Sequence, residues 1–320
     1  MRVFLAGASG AIGRPLVPKL VAAAHELTGM TRSEARAEEL RAAGADAAVV
    51  DVFDADALRA AVERAAPEVI VHELTALPDR INFRRQDTYR ATNRLRTEGT
   101  RNLIDAARAS GARRFVSQSI AFAYRMDGAA LKTEDDPLLT DAPGAFGSGV
   151  SALREMEEMV LGSDGLDGIV LRYGFFYGPG TYYGDDGTST QDVRRRRLPI
   201  VGKGTGVFSF IHVEDAADAT VAAVERGAPG VYNVTDDEPA PMSDWVPVFA
   251  RAAGAKPPRR VPVWLARFVA GRDVSNFAAE LRGASNEKAK RELGWRPAHA
   301  SWRTGFAESL APQLETERPQ

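Results

Sequence analysis

Short apolar runs alternate with helix-like segments through the first half of the chain, starting at the second residue. Parallel strands need a long crossover between them, and an amphipathic helix usually provides it. The alternation therefore predicts an α/β fold, a doubly wound parallel sheet with right-handed crossovers. Predicted strands lie at 2–7, 25–32, 45–51, 67–74, 112–119 and 168–174, and predicted helices lie at 11–24, 33–44, 54–66, within 87–111 and at 148–162.

Composition narrows the classes of protein to which such a chain can belong. The 320 residues are 44% hydrophobic and 26% charged, carry a formal net charge of -2 and include no cysteine. Thiol chemistry is thereby excluded, and the balanced charge predicts no nucleic-acid partner. No run of about 18 apolar residues is present, so we predict no membrane span. The opening "MRVFLAGASG" has no signal-like apolar region and is interpreted as a strand, which favours a cytoplasmic protein.

A glycine-rich loop follows the first predicted strand. Gly7, Gly10 and Gly13 form G-x-x-G-x-x-G directly before a helix, where glycines permit a tight turn and a close approach of the backbone to a pyrophosphate. The alternative is a plain tight turn, but the buried strand before the loop and the helix after it favour a Rossmann dinucleotide site. The predicted phosphate-binding residues are Gly7, Ser9, Gly10, Ala11, Ile12 and Gly13.

The end of the second predicted strand indicates which dinucleotide binds. A free ribose 2′-hydroxyl calls for an acidic residue about 20 residues after the loop, whereas this chain has Thr31, Arg32 and Ser33 there. A guanidinium flanked by hydroxyls suits a 2′-phosphate, so NADP(H) is predicted as the cofactor. The alternative is an exposed arginine in an Arg-rich protein.

Two further strand ends provide candidate cofactor contacts. Asp51 ends the third predicted strand, where a carboxylate can accept hydrogen bonds from the adenine amino group, and Val52 is predicted to cover the adenine face. The alternative is that Asp51 is an ordinary surface carboxylate. Leu74, Thr75 and Ala76 follow the fourth strand and are expected along the pyrophosphate and ribose.

These features resemble an extended short-chain dehydrogenase/reductase of the NAD(P)-dependent epimerase/dehydratase kind, over nearly the whole chain. The resemblance implies a Rossmann domain, a smaller C-terminal substrate domain, and cofactor contacts from Asn93, Tyr173, Gly174, Phe175 and Phe176. The motifs that carry it are "GASGAIG" at 7–13, Asp51, Asn93, "RRFVSQS" at 113–119, "LRYGFFYGPG" at 171–180, "FIHVEDAADA" at 210–219, "YNVTDDEP" at 232–239 and "AKRELGWRP" at 289–297.

The same resemblance implies a serine, a tyrosine and a lysine at the reacting carbonyl, the last two as Tyr-x-x-x-Lys. Residues four apart share a helix face, so that the lysine can lower the pKa of the tyrosine. This chain has Gly149 and Leu153 at those positions, and none of its seven tyrosines has a lysine four residues later. It therefore resembles atypical members, some of which are ketoreductases of natural-product pathways.

Ser119 matches the family serine and is the predicted donor to a developing oxyanion, with Tyr124 as a candidate proton source. The alternatives are a serine that caps a strand end and a tyrosine that only packs. Tyr182 and Tyr183 are candidates of the same kind. The run "RRRR" at 194–197 is interpreted as a solvated face, with attraction of an anionic substrate as the alternative. No spacing typical of a metal site is present, so no metal is predicted.

The resulting organisation is a Rossmann NADP-binding domain over 1–175, completed by about 207–240, a lid or substrate loop over 176–206, and a mainly helical substrate-binding domain over 241–320. The predicted function is NADPH-dependent reduction of a ketone or related group on a small molecule by a monomer or homodimer. The alternatives are a non-enzymatic NADP-binding sensor and a nucleotide-sugar epimerase or dehydratase, which would need a base where Gly149 stands.

Overall fold

A seven-stranded, entirely parallel sheet forms the centre of the chain in a computed structural model that describes residues 1–81, 85 and 87–310. Its order, β12-β7-β5-β4-β1-β2-β3, reverses direction at β1 and confirms the predicted doubly wound Rossmann sheet. The strands are β1 (Arg2–Ala6), β2 (Glu26–Thr31), β3 (Asp46–Val49), β4 (Val69–His72), β5 (Arg114–Ile120), β7 (Asp167–Tyr173) and β12 (Gly230–Val234).

Helices cover both faces of this sheet. Leucine, valine and alanine side chains of α1, α2 and α8 pack on one face, and those of α3, α5 and α6 pack on the other. The helices are α1 (Gly13–Ala22), α2 (Glu34–Ala42), α3 (Ala55–Ala65), α4 (Arg90–Arg94), α5 (Thr100–Ser110), α6 (Gly144–Leu161), α7 (Thr188–Arg194), α8 (Val213–Glu225), α9 (Met242–Ala252), α10 (Val263–Ala270), α11 (Arg272–Glu280), α12 (Glu287–Glu292) and α13 (Trp302–Leu310).

A second apolar core, rich in aromatic rings, lies in the later part of the chain. Phe210, Trp245, Phe249, Trp302 and Phe306 are buried in it. Four two-stranded sheets connect these later segments with one another and with β6. The pairs are β8–β11, β10–β13, β9–β14 and β6–β15. The short strands are β6 (Leu131–Lys132), β8 (Phe175–Tyr177), β9 (Ile200–Val201), β10 (Val207–Phe208), β11 (Phe210–His212), β13 (Ala240–Pro241), β14 (Arg260–Val261) and β15 (Gly283–Ala284).

The structure differs from the sequence predictions in three places. The long helix of 87–111 contains a π-helical turn, Leu95–Gly99, between α4 and α5. Helix α6 begins at Gly144, four residues before the predicted start, because Gly147 lets the first turn approach the Ala142 carbonyl. The predicted lid over 176–206 contains regular elements as well as loop. Residues 311–320 of the predicted C-terminal domain lie outside the described residues.

Candidate cofactor and active site

The glycine-rich loop closes tightly at the carboxyl end of β1. Gly7 has a φ of +104°, and the Gly10 amide donates to its carbonyl at 3.0 Å. A Cβ on Gly7 would lie 2.8 Å from the Glu73 carbonyl, and one on Gly13 would lie 2.2 Å from the Gly7 oxygen. The loop therefore tolerates no side chain at Gly7 or Gly13, and the ten-residue α1 follows it directly, with no side chain capping its first turn. Such a cradle fits a dinucleotide pyrophosphate.

The other predicted loop residues take different roles. Ser9 and Ala11 are half-buried and lie beside the glycines, whereas the Ile12 side chain is 5% exposed and packs in the core. Any contact of Ile12 with a cofactor must therefore come from its backbone.

The carboxyl end of β2 places Arg32 in solvent. Thr31 is buried, and its Oγ1 accepts a hydrogen bond of 3.2 Å from the Ser33 amide, which fixes the turn into α2. Ser33 stands at the N-cap, but its side chain makes no capping hydrogen bond. Arg32 is exposed, and in the described part of the chain no carboxylate lies within 4.0 Å of its guanidinium. The cation is available to a phosphate.

After β3, Asp51 and Val52 point in opposite directions. Asp51 is exposed, and its Oδ1 accepts from the Phe53 amide at 2.9 Å. The Val52 side chain is 3% exposed and packs in the core instead of covering an open face. The Val52 carbonyl accepts from Asn102 Nδ2 at 2.9 Å. This burial argues against the predicted adenine contact through the Val52 side chain.

The segment after β4 is held from two sides. Gln118 Nε2 donates to the Leu74 carbonyl at 3.0 Å, and the Ala76 amide donates to Thr92 Oγ1 at 3.1 Å. Thr75 and Ala76 are exposed, whereas Leu74 is half-buried. The segment therefore runs along the same sheet edge as the glycine loop, and its contact with the pyrophosphate and ribose stays a prediction.

Tyr173 points into the protein and not towards an open site. It is fully buried, and its hydroxyl donates to Glu73 Oε1 at 3.1 Å and lies 2.7 Å from Thr220 Oγ1. Burial raises the pKa of Glu73 to about 8, and its Oε2 has no hydrogen-bond partner among the described residues. Tyr173 thus binds Glu73, which packs against Gly7 of the glycine loop. This buried position argues against direct contact of Tyr173 with a cofactor.

Of the three residues after Tyr173, Gly174 is buried and the aromatic rings of Phe175 and Phe176 are partly exposed. A Cβ on Gly174 would lie 2.6 Å from the Ser209 carbonyl, so only glycine fits there. Phe175 and Phe176 are half-buried, and Phe175 stacks on Phe122 with 4.0 Å between ring centroids. These two rings are the members of the predicted set that could border a ligand.

Ser119 and Tyr124 belong to one buried hydrogen-bond network. Ser119 Oγ donates to Glu157 Oε1 at 2.6 Å, and Arg172 pairs with both oxygens of Glu157 at 3.0 and 2.6 Å. Arg172 Nη1 also donates to the Tyr124 hydroxyl at 2.9 Å, and that hydroxyl donates to Asn233 Oδ1 at 2.6 Å. Both predicted catalytic side chains are 2% exposed.

The network limits what these two side chains can do. Burial raises the pKa of Tyr124 to about 12, and both its donor and its acceptor functions are already used. Ser119 could meet a substrate oxygen only by breaking a charge-assisted bond to Glu157. The geometry argues against Tyr124 as a proton source, and it leaves the oxyanion role of Ser119 a prediction.

The positions of the missing acid/base pair lie on α6. Leu153 is 1% exposed in an apolar cluster with Phe146 and Val150. A Cβ on Gly149 would lie 3.6 Å from both the Tyr89 ring and Arg96 Nη1, so an aromatic ring and a guanidinium border this position. At the two positions where the resemblance predicts the tyrosine and lysine, the structure thus has apolar surface and a neighbouring cation.

Arg96 is a candidate that the sequence analysis missed. Its Nη1 lies 3.3 Å from both the Gly149 carbonyl and Asn93 Oδ1, and Asn93 Nδ2 donates to Ser148 Oγ at 3.2 Å. The local sequence provides no clear signal for it, because polar residues and glycine flank it on the helix face and several other arginines lie nearby. Asn93, predicted as a cofactor contact, is used here to join α4 to α6.

The lid residues make structural contacts. The Tyr182 hydroxyl donates to the Pro78 carbonyl at 2.5 Å, and Tyr183 packs edge-on against Trp245 in the second core. Arg194 pairs with Asp185, and Arg196 Nη2 donates to the Pro257 carbonyl at 3.2 Å. Over residues 1–81, 85 and 87–310, no metal-binding cluster of three His, Cys, Asp or Glu residues occurs, and no helix could cross a membrane.

A Rossmann sheet, a glycine cradle and a second core after it define the class of protein. The chain belongs to the NAD dependent epimerase/dehydratase family, whose model matches residues 3–235. This confirms the predicted resemblance to extended short-chain dehydrogenases/reductases and the prediction of an enzyme.

Individual relatives are reductases and epimerases. The chain is 48% identical over 311 residues to a 3-diazoavenalumate denitrifying reductase from Streptomyces sp, which covers 96% of this chain and 99% of the relative. It is 24% identical to a 4-hydroxy-2-methyl-3-oxo-4-farnesyl-3,4-dihydroquinoline-1-oxide ketoreductase from Stigmatella aurantiaca, over 92% of each chain. Among solved structures, a UDP-glucose 4-epimerase from Thermotoga maritima matches with a TM-score of 0.76 at 20% identity, over 97% of each chain.

Proposed function

We propose that this protein is an NADPH-dependent reductase that replaces the diazo group of a small aromatic acid with hydrogen and releases dinitrogen. The observation that carries the proposal is the 48% identity, over nearly the full length of both chains, to a relative named for a denitrifying reduction of a diazo acid. The altered acid/base positions support it independently.

The chemistry explains why a tyrosine and lysine are dispensable. Reduction of a ketone leaves a negative oxygen that must be protonated, which is the usual task of that pair. Bound NADPH would supply a hydride to the ring carbon of an aryl diazonium cation. The hydride electron pair forms the new carbon–hydrogen bond while the carbon–nitrogen bonding pair leaves with dinitrogen, so the charge balances and no proton is taken up. Gly149 and Leu153 therefore remove groups that this reaction does not need.

The residues that would hold NADPH are those of the glycine cradle and the end of β2. Gly7, Gly10 and Gly13 leave the first turn of α1 open to the pyrophosphate. The exposed guanidinium of Arg32, with no carboxylate within 4.0 Å in the described part of the chain, suits a 2′-phosphate. Asp51 remains a proposed contact for the adenine amino group.

An isotope experiment tests the reaction. The protein is incubated with diazotised 4-aminobenzoate and NADPH that carries deuterium at C4, and the aromatic product is analysed by mass spectrometry and NMR. We expect one deuterium at the ring carbon that carried nitrogen, and dinitrogen release equal to NADPH consumed above the enzyme-free rate. Unlabelled NADPH in D₂O should give no labelled ring. Label from solvent, or no rate above the enzyme-free control, would contradict the proposal.

Reduction of a ketone is the second candidate. The ketoreductase relative and the presence of Ser119 at the end of β5 favour it. A ketone substrate would take deuterium from labelled NADPH at carbon, but its new hydroxyl proton would come from solvent. A nucleotide-sugar epimerase or dehydratase is disfavoured, because Gly149 provides no base to oxidise an alcohol. If the protein is instead a non-enzymatic sensor, it should bind the cofactor without hydride transfer to either substrate.

A further inference from the structure

Among the described residues, Arg96 is a buried cation with no carboxylate partner. The residue is 8% exposed, and in the described part of the chain no carboxylate lies within 4.0 Å of its guanidinium. Its Nη1 donates to Asn93 Oδ1 and to the Gly149 carbonyl, both at 3.3 Å and both uncharged. A buried charge normally requires a counter-charge, because desolvation strongly disfavours an isolated ion.

Arg172 shows how this chain compensates a structural arginine. It is 5% exposed, similar to Arg96, but both of its guanidinium edges are used by Glu157 and Tyr124. The two arginines contact α6 at different places, Arg172 from β7 at Glu157 and Arg96 from the π-helical turn at Gly149. Only Arg172 has a carboxylate, so burial alone does not explain Arg96.

The position of Arg96 coincides with the altered active-site position. Its Nη1 would lie 3.6 Å from a Cβ on Gly149, where the family resemblance places the acid/base tyrosine. One helical turn earlier, Thr92 holds the Ala76 amide of the segment that follows β4. The guanidinium thus contacts α6, one helical turn from the residue that holds the segment after β4, and the reacting end of a dinucleotide is expected at that sheet edge.

The local backbone also sets this residue apart. Arg96 lies within the π-helical turn Leu95–Gly99, between α4 and α5. Thr97 Oγ1 donates to the Asn93 carbonyl at 3.1 Å and Thr100 Oγ1 donates to the Leu95 carbonyl at 3.4 Å, so side-chain hydroxyls add hydrogen bonds at this turn. Single π-turns in helices occur frequently at functional sites.

We propose that Arg96 binds the carboxylate of the substrate, and that this contact sets the substrate class and orients the acid beside Gly149. A carboxylate fits because guanidinium presents a planar fork of donors that it can accept in a bidentate manner. The pyrophosphate is expected at the first turn of α1, so the counter-charge at Arg96 is assigned to the substrate. The inference rests on the proposed function, since it assumes an acidic substrate.

Equilibrium binding tests the contact without any turnover. Cinnamate and methyl cinnamate are titrated into the protein saturated with NADP⁺ and followed by calorimetry. We expect the native protein to bind the acid at least tenfold more tightly than the ester. Arg96→Gln should abolish that preference, and Arg96→Lys should keep part of it. Equal affinity of the native protein for acid and ester, or binding of neither, would overturn the proposal.

Thermal stability separates a binding role from a structural one. Arg96→Met keeps an unbranched side chain but removes the unpaired charge, so the ligand-free protein should melt at a higher temperature than the native one. Arg172→Met is the matched control and should melt lower, because it leaves Glu157 buried without its cation. A fall for Arg96→Met comparable to the control would make Arg96 structural and overturn the proposal.

The two proposals can fail separately. If diazotised 4-aminobenzoate is reduced with deuterium transfer but cinnamate is not preferred over its ester, the reductase stands and the role of Arg96 falls. If the acid preference is present and depends on Arg96 while no dinitrogen is released, the carboxylate site stands and the reaction is a different one.

Discussion

The hydroxyl group of Ser119 donates a 2.6 Å hydrogen bond to the carboxylate of Glu157, 38 residues further along the chain. The family serine is therefore tied to a buried ion pair before any substrate arrives, because Arg172 holds the same carboxylate. Catalysis that depends on this hydroxyl must compete with the interior of the protein for it.

Replacement of Ser119 distinguishes the two candidate reactions. In diazo reduction no oxygen gains charge, so Ser119→Ala should leave turnover close to native. With a ketone substrate, loss of an oxyanion donor should lower turnover by about 10²–10³. In either case the lost bond to Glu157 should destabilise the protein by about 1.5–3 kcal/mol. Single-turnover loss of NADPH absorbance and urea unfolding measure the two effects, and a large loss of diazo reduction would reinstate Ser119 in the mechanism.

Replacement of Arg32 tests the cofactor. Arg32→Ala should weaken NADPH by about 1.5–3 kcal/mol, the usual contribution of hydrogen bonds to a charged group, and should leave NADH nearly unchanged. Titration of both cofactors by intrinsic fluorescence measures this. Arg41→Ala is the control, since Arg41 is an exposed arginine of the neighbouring helix α2 that already pairs with Glu34. Equal affinity of the native protein for the two cofactors would contradict the prediction.

Restoration of the family pair should not improve this enzyme. Gly149→Tyr combined with Leu153→Lys places a ring against Tyr89 and an ammonium group in an apolar cluster, so turnover should not rise and stability should fall. Gly149→Ala is the control: its Cβ has ordinary contacts at 3.6 Å, and alanine should stabilise α6 by about 0.5–1 kcal/mol. A many-fold gain in turnover by the double variant would indicate an ordinary enzyme of the family that has lost its pair.

The buried carboxyl of Glu73 predicts a pH dependence of stability. Burial raises its pKa to about 8 from an ordinary value of 4.5. Between these values the folded protein keeps a proton that the unfolded chain releases, so the free energy of unfolding falls by up to about 1.4 kcal/mol per pH unit as pH rises, and levels off above 8. Glu73→Gln removes this term, so its melting temperature relative to the native protein should rise from pH 5 to pH 8.5.

The control for this measurement is Glu63→Gln on the exposed surface of α3, where no such trend is expected. Melting curves of the three proteins across pH 5–9 provide the comparison. Parallel curves for Glu73→Gln and the native protein would show that Glu73 ionises normally in the folded state.

Local sequence patterns predicted much of the fold. The sheet and the glycine loop could be predicted because apolar runs and glycine spacing are visible in short stretches of sequence. The position of Arg32 could be predicted because it directly follows a strand. The predicted start of α6 was wrong because Gly144 and Gly147 have low helix propensity, so the sequence of the first turn does not resemble a helix.

The site was harder to predict because its contacts join distant segments. The residues near Ser119 and near Glu157 in the sequence do not indicate that these two side chains form a hydrogen bond. The isolation of Arg96 depends on which carboxylates the fold brings near it, and in the described residues it brings none within 4.0 Å. A pattern in one chain specifies residue types and spacing, but not the partner that a side chain finds across the fold.

The π-helical turn Leu95–Gly99 makes the helix beside α6 adjustable by a single residue. A π-turn holds about one residue more than the α-helical turn that it replaces, so the extra residue is absorbed locally and the flanking segments keep their faces. Deletion of one residue from this turn would therefore restore regular helix and shift Arg96 relative to Gly149, while α5 and the strands of the sheet kept their register. One codon gained or lost here would change the surface beside Gly149 without redesign of the rest of the fold.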